Sequence, residues 1–391
     1  MGKKVKVLHI ITRLIAAGAD ENTIYTVIGL DKNLFDTYLL IGGESEIEEE
    51  AKKLGVKIIV VKQLVRNVRL IKDLISFIKI YYLIRKCKFH IVHTHTAKAG
   101  IIGRSAAKIV GVPIIIHTLH GLTFHDFMPL YQKKFFILLE KFVARFTDHF
   151  ISVGENIKKK SIEAGIGAPE KYSTIYSGMD LTQFKVVNMD KIQFKKTINM
   201  LNNQIIIGTV SRLEPRKGPQ YFIEVMERVK KRIPNIKGVI VGCGSFRSHL
   251  EKKIKKLNLE ENIILTGYRR DIAEIMSIFD IICLTSLWEG IPRVLIQGAL
   301  LGKPLIAFNI DGNSEVIKHE VNGYLVPPID INEFANRIIY LIENDDIRKK
   351  MSLESKRITD SNWDKDYMIK EIKNLYLRLM KNENLRFDNS L

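Results

Sequence analysis

The chain has 391 residues, 46% hydrophobic and 27% charged, a globular composition too long for one ordinary core and sufficient for two α/β domains. Lys plus Arg outnumber Asp plus Glu by 61 to 43, a net charge of +18, so the expected partner is anionic: nucleic acid, a membrane surface or a phosphorylated substrate, unless the excess is only a solvated lysine-rich surface. Cys87, Cys243 and Cys283 have neither pairing nor metal spacing, and no leader or apolar run near the ~20 residues of a bilayer span is visible, which together suggest a soluble protein of a reducing cytoplasm, at most resting on a membrane.

Short β-branched runs alternate with helical patterns along the chain. The first half reads as strands in VKVLHIIT, TYLLIGG, KIIVVK, HIVHTH, PIIIHTLHG and HFISVG, with helices such as 97–110 and 131–146 between them. Runs apolar enough to be buried on both faces, separated by helices, predict a doubly wound parallel sheet. Residues 180–204 turn polar and rich in Asn and Lys, as a linker would. The strand pattern then resumes in IIIGTVSRL, IKGVIVGCG, NIILTG, IICLTS, LIAF and GYLVPP. From about Trp363 the sequence reads as one amphipathic helix, with a polar, disordered tail beyond about Asn382. Two such α/β domains predict a cleft lined by the carboxyl ends of both sets of strands, so the residues to inspect lie just after strands.

The densest of these lie in SLWEGIPRVLIQGALLGKPLIAFNIDGNSEVI, residues 286–317. A strand exit is followed by Glu289 and Gly290. Pro292 then stands where the first turn of a helix tolerates proline, and Gly302 and Pro304 close that helix. A helix N-terminus beside an acid suits an anion joined to a hydroxyl-rich group, because amides and dipole face the anion while the carboxylate accepts hydroxyl protons. That describes a nucleotide-sugar better than ATP or NAD. After IIIGTVSRL, Arg212 and Lys217 can grip a diphosphate from two sides, one as a planar fork and one as a point charge. Taken alone, that loop would be a solvated one.

Together SRLEPRKG, VGCGSFR, TGYRRDIAEIMSIFDIICLTSLWEGIPRVLIQGALLGKP and the trailing DGNSEVI resemble the retaining family 4 glycosyltransferases. ITRLIAAGADENT, VHTHTAKAGIIGRSAAKIVGVP and HTLHGLTFH resemble their capsule and O-antigen branch. The resemblance spans essentially the whole chain and implies the GT-B fold: two facing Rossmann-like domains, 1–185 and 186–363, with the C-terminal helix (364–391) returning to the first. It implies that Arg212 and Lys217 hold the donor diphosphate and stabilise leaving-group charge, and that Glu289 accepts hydrogen bonds from the donor sugar. The backbone of Gly290, Ile291, Pro292, Arg293 and Val294 would approach sugar and phosphate. Position 297 would face the ribose, but the usual glutamate is Gln297 here, which weakens that contact. Gly242 and Gly244 would allow close backbone approach to the nucleotide. Tyr268, Arg269 and Asp271 fall in the loop near the base, where the other reading of Asp271 is a helix N-cap beside a solvated arginine. Gly18 would bring amides to the diphosphate, although Ala16-Ala17-Gly18 replaces the usual paired glycines.

Six of the ten histidines lie between His90 and His125, and His93-Thr-His95 puts two rings on one face of a strand end. No third ligand and no acid declare themselves, so no metal site is assigned. The resemblance singles out His120, beside the donor sugar and acceptor. His95, Lys98 and His125 are assigned to the acceptor side, and His90 and His117 to packing. It further implies retention of anomeric configuration. With no carboxylate placed as a nucleophile, the expected course is a front-face displacement in which the leaving diphosphate helps take the acceptor proton. No obligatory metal or other cofactor is expected: the one Asp-x-Asp considered, Asp364-Lys-Asp366, lies in the terminal helical region.

Residues 64–88 and 124–141 are basic, amphipathic and rich in large apolar groups. Each can pack on its own sheet, or dock on an anionic leaflet where a lipid-linked (undecaprenyl-diphosphate) saccharide would be the acceptor. The expectation is therefore a UDP-sugar hexosyl or N-acetylhexosaminyl transferase of surface polysaccharide assembly, cytoplasmic and peripheral on the inner membrane face. A UDP-sugar epimerase on the same fold, a basic nucleic-acid-binding protein and a metal hydrolase built on the histidines are the competing readings. No aromatic-interleaved basic motif supports nucleic acid.

Overall fold

A computed structural model of the chain describes residues 4–15, 18–198, 200, 203–358 and 361–383. It divides into two compact units: Met1–Met179 with Ser361–Leu391, and Asp180–Asp360.

Among the described residues of the first unit, seven strands form one sheet: β1 (Val5–Ile10), β2 (Phe35–Gly42), β3 (Ile58–Val61), β4 (Ile91–His95), β5 (Ile114–Leu119), β6 (His149–Ser152) and β7 (Tyr172–Thr174). Their order is β3-β2-β1-β4-β5-β6-β7, and every pairing is parallel. Parallel strands need helical cover on both faces, which is why every residue of β4 and β5 is buried. The order reverses between β1 and β4, so the carboxyl ends of those two strands mark the binding crevice of this unit.

Three helices matter for the site. Helix Ala97–Val110 packs against both helix Leu70–Cys87 and helix Leu130–Ala144. Helix Lys365–Asn382 buries Met368, Ile372, Leu375, Tyr376 and Met380, a stripe at helical spacing that packs against Val5, Val7, Ile91 and Ile116 of the sheet. The C-terminal helix thus belongs to the first unit. The expected tail beyond Asn382 lies, past Glu383, outside the described residues.

The second unit repeats the architecture with β8 (Ile205–Val210), β9 (Ile236–Val241), β10 (Ile263–Gly267), β11 (Ile281–Leu284), β12 (Leu305–Phe308) and β13 (Gly323–Val326). Their order is β10-β9-β8-β11-β12-β13, again parallel, and the switch point falls between β8 and β11. Phe222, Val225, Met226 and Val229 of one helix and Phe334 and Ile338 of another form the core beside the sheet. The expected linker at 180–204 instead holds two short helices, Thr182–Lys185 and Lys191–Thr197. The second is started by the Asp190 carboxylate, which accepts from the amides of Ile192 and Gln193. Strand β7 is absent from the sequence expectation because three residues at a sheet edge carry too little periodicity to read.

Candidate active site

In the second unit the β8–β9 pairing continues past both strand ends. Ser211 N donates to Val241 O at 3.0 Å and Leu213 N to Cys243 O at 2.9 Å. Gly242 has φ +139°, and a Cβ there would lie 1.9 Å from Ser211 O; one on Gly244 would lie 2.3 Å from Leu213 O. These glycines were expected to admit a nucleotide. The atoms they admit are the carbonyls on either side of Arg212, so their first effect is to hold the arginine's loop in place.

The same loop is tied to the one leaving β11. Gly218, at φ +66°, comes so close to Thr285 that a Cβ would be 1.9 Å from its carbonyl oxygen. Thr285 Oγ1 donates to Gly218 O at 2.8 Å, and Leu287 N donates to Arg216 O at 2.9 Å. This brings Lys217 and Glu289, 72 positions apart, into a two-pronged ion pair with Nζ 2.5 and 2.8 Å from the carboxylate oxygens. Their side chains are only 17% and 9% exposed. Burial pushes the Glu289 carboxyl up, but the Lys217 ammonium, its hydrogen bonds and Arg216 outweigh that and hold it below the ordinary glutamate value. Two of the three ammonium protons go to Glu289, which leaves one for a further acceptor. Arg212 is more open, with Nη2 3.3 Å from Glu214 Oε1.

Helix Arg293–Leu300 begins directly after Pro292 with no side-chain cap, so its first amides are satisfied by no capping side chain. Arg293 and Gln297 lie one turn apart on its half-buried stripe, whereas Val294, Leu295, Ile296, Gly298 and Ala299 are buried. Ile291 and Val294 are buried too, so their side chains serve the core and only their backbone can meet a ligand. The Arg269 fork is closed on the Asp271 carboxylate, with Nε 2.8 Å from Oδ1, and the guanidinium sits over the Phe194 ring. Asp271 stands at the N-cap position but makes no side-chain cap bond. Tyr268 is 69% exposed.

In the first unit Gly18 opens helix Gly18–Gly29, whose first turn carries Asp20 and Glu21. Asp20 is buried and accepts from Ile15 N at 2.8 Å. These acids already complement the positive helix end, so the helix dipole there has less to offer an added anion. Ala16 and Ala17 lie outside the described residues.

The histidines form a connected buried network. Parallel register sets His9 of β1 beside His93 of β4. His9 Nδ1 lies 3.0 Å from His95 Nε2, and His95 Nδ1 lies 3.0 Å from His120 Nε2. His93 meets Tyr376 Oη through Nδ1 and Thr118 Oγ1 through Nε2, both at 2.6 Å. Tyr376 Oη is 3.4 Å from His9 Nε2. Burial pushes the His9 pKa down to about 3. It also holds His93, His95 and His117 well below 6.5, helped by neighbouring imidazoles and, for His117, by Arg104. These rings are neutral at pH 7.

His120 is half-buried at the end of β5, whereas His95 is 2% exposed with both nitrogens engaged. His95 therefore does not line an acceptor surface, as expected from sequence, but stands behind His120. Lys98 is bound to Asp73 Oδ1 at 2.7 Å and to the Asn67 carbonyl, which anchors helix Leu70–Cys87. His125 is half-buried in the segment after His120. Sequence reasoning missed His9, Thr118 and Tyr376. His9 had a signal, an inward histidine on the strand that pairs with β4; the 283 positions between His93 and Tyr376 offered none. His9, His93 and His95 also place one ligand atom each within 4.8 Å of one another, although both nitrogens of His93 are already engaged by Tyr376 and Thr118.

The family pattern for glycosyl transferases group 1 matches residues 190–357, and that for glycosyltransferase family 4 matches residues 21–183. The chain is 31% identical over 384 residues to the UDP-Gal:alpha-D-GlcNAc-diphosphoundecaprenol alpha-1,3-galactosyltransferase of Escherichia coli, covering 97% of this chain and 98% of that one. The chain is a group 1 glycosyltransferase. It is also 24% identical to the capsular polysaccharide biosynthesis glycosyltransferase CapM of Staphylococcus aureus, over 85% of this chain and 88% of that one. The solved structure of Anabaena HepE in complex with UDP-glucose superposes with a TM-score of 0.81 at 22% identity, covering 95% and 99% of the two chains. That likeness bears on the fold, which is of the GT-B type expected. In this glycosyltransferase the ion-paired Lys217 and the more open Arg212 stand at the switch point of the second unit, and His120 stands at the carboxyl end of the first sheet. Among the described residues no helix is long and apolar enough to cross a membrane.

Proposed function

We propose that the enzyme moves a hexose or N-acetylhexosamine, with retention, from a UDP-sugar to a lipid-linked saccharide in surface polysaccharide assembly. The observation that carries this reading is the Lys217–Glu289 pair. A mostly buried, mutually neutralised ion pair whose lysine shares a loop with Arg212, with one ammonium proton left over, offers cations to a diphosphate and a carboxylate to sugar hydroxyls, which is what a nucleotide-sugar requires. On this reading Arg212 and Lys217 take up the charge that grows on the leaving diphosphate, Glu289 orients the sugar, and the backbone of 290–294 with Gln297 receives phosphate and ribose. With cations supplied by side chains, no metal is required. In the first unit, His120 is the residue this reading assigns to the sugar and acceptor, and Lys98 and His125 are assigned to the acceptor. The relative from Escherichia coli, named for UDP-Gal and a diphosphoundecaprenol acceptor, supports the same substrate classes.

An acceptor on a lipid calls for a membrane-facing surface. Helix Leu70–Cys87 buries only Ser76, Ile80 and Ile84, while Leu70, Ile71, Leu74 and Tyr82 are each more than 60% exposed. Helix Leu130–Ala144 leaves Leu130, Tyr131, Phe135 and Leu138 exposed. Exposed Lys72, Lys79, Arg85, Lys86 and Lys134 flank these apolar faces. Apolar area with basic neighbours suits peripheral binding to an anionic leaflet, on the cytoplasmic side where nucleotide-sugars are found.

A thermal-shift panel of nucleoside diphosphates and their sugars, run on wild type and Arg212→Ala with and without chelator, tests the reading. UDP and a UDP-sugar should stabilise wild type, chelated or not, and stabilise the variant less. No nucleotide-dependent shift in wild type would overturn the donor reading, and equal shifts in both proteins would remove Arg212 from it.

A further inference from the structure

Strand β12 ends at Phe308, and the chain passes through residues 309–312 into the short helix Asn313–Val316. The turn is well braced. Asn313 N donates to Ile310 O at 3.0 Å and Ile317 N to Asn313 O at 2.8 Å. The buried Asn313 side chain donates through Nδ2 to Phe308 O, also at 2.8 Å. Within this turn Asp311 has φ +30°, on the left-handed side and short of the roughly +50° to +70° well in which side-chain-bearing residues settle there. Glycine would take that backbone at no steric cost, whereas aspartate takes it under strain.

What the aspartate supplies is a carboxylate directed at the candidate active site. Its Oδ2 accepts from the backbone N–H of Glu289 at 3.3 Å. The neighbouring residue extends the contact: a Cβ on Gly312 would lie 2.1 Å from Gly290 O and 2.9 Å from Ile291 Cδ1. The turn after β12 therefore backs the peptide on which Glu289 is mounted, while Lys217 holds the carboxylate itself through two hydrogen bonds. Backbone and side chain of Glu289 are held by different loops. That side chain is only 9% exposed, so it has little room to correct a shift of its own backbone.

We propose that Asp311 is a positioning residue for glycosyl transfer, fixing the Glu289 peptide so that its carboxylate reaches Lys217 and the donor sugar together. This role rests on the reading that Glu289 orients the donor sugar. A strained aspartate where glycine would relax the turn is then accounted for, because only the aspartate offers an acceptor to the Glu289 amide. The effect falls on the sugar rather than on the nucleotide, since UDP lacks the group that Glu289 orients. Loss of Asp311 should lower kcat and leave UDP affinity alone.

The test compares Asp311→Gly, Asp311→Asn and Glu289→Gln with wild type, each as the full chain. Glycine relieves the backbone and removes the acceptor, whereas asparagine tolerates the left-handed region and keeps an oxygen. Asp311→Gly should keep or raise the urea midpoint, speed hydrogen–deuterium exchange in the peptide holding the Glu289 amide, and bind UDP as wild type does by calorimetry. UDP release is followed from UDP-glucose, UDP-galactose and their N-acetylated counterparts, with a GlcNAc-diphosphoryl lipid as acceptor. The Asp311→Gly kcat should fall about fivefold to thirtyfold, within the ~10² that a small misplacement costs, and Asp311→Asn should recover most of that loss. Wild-type exchange at Glu289 or a wild-type kcat in Asp311→Gly would overturn the proposal. So would a loss of kcat matched by a lower midpoint, the mark of a merely structural residue. Full activity in Glu289→Gln would instead overturn the reading of Glu289 as the sugar-orienting acid, and the exchange result would then report the contact alone.

Discussion

At the scale of single residues, the site depends on charge and proton placement in partly dry surroundings. His9, His93, His95 and His117 are neutral in the fold but would bind protons once unfolded, with His9 moving from 6.5 to about 3. Their folded pKa values are depressed, so the stability they allow is present above pH 6.5 and is lost as pH falls toward the folded values. The loss is up to ~1.4 kcal/mol per pH unit for each histidine that titrates fully. Urea unfolding at pH 7.5 and 5.5 should show a clear drop in midpoint for the first unit; an unchanged midpoint would mean that the rings are solvated. Gln297 gives a second residue-scale expectation. Glutamate at this position would accept from a ribose hydroxyl with charge assistance, tightening UDP by about 1 kcal/mol, close to fivefold. Calorimetric titration of Gln297→Glu checks this, and equal or weaker binding would remove the residue from the nucleotide contact.

Between elements, one buried pair decides how a candidate membrane helix is held. Arg104 and Glu140 are 0% and 2% exposed, with Nη2 2.7 Å from Oε2. Arg104 also donates from Nε to Gly100 O at 2.9 Å and from Nη1 to Thr147 Oγ1 at 3.3 Å. This fastens helix Leu130–Ala144 to helix Ala97–Val110 while its apolar side stays outward. Glu140→Ala would strand a guanidinium in the interior and should cost about 3–5 kcal/mol; a loss below about 1 kcal/mol in denaturant unfolding would show that the pair is not held dry. Neither partner could have been matched from sequence, since Arg104 reads as one basic residue among many until the helices are packed.

At the scale of the whole molecule, part of the basic excess behind the +18 charge lies beside exposed apolar side chains. Basic side chains flank the outward apolar faces of helices Leu70–Cys87 and Leu130–Ala144. Flotation with anionic vesicles should recover the protein at low salt and recover less as salt rises and screening shortens. Replacing Leu70 and Phe135 together by Ser should lower recovery at every salt. Equal recovery on neutral and anionic vesicles would sink the electrostatic part.

Much of this was legible before folding. Short β-branched runs such as residues 114–116, apolar enough to be buried on both faces and alternating with helical patterns, predicted two doubly wound parallel sheets. The loops proposed for the donor were legible for a related reason: Arg212 to Gly218 and Glu289 to Pro292 lie in the segments that leave strands β8 and β11, where parallel sheets present their binding residues. Strand ends announce themselves in the chain. Tertiary structure alone decided what those residues touch. It joined Lys217 to Glu289, turned Gly242 and Gly244 toward the Arg212 loop, withdrew His95 behind His120 and brought Tyr376 to the histidines. Periodicity carries the burial of a segment, because burial acts on every residue of it. A hydrogen bond between side chains hundreds of positions apart is set by the register of strands and the seating of one helix, and no local pattern encodes it.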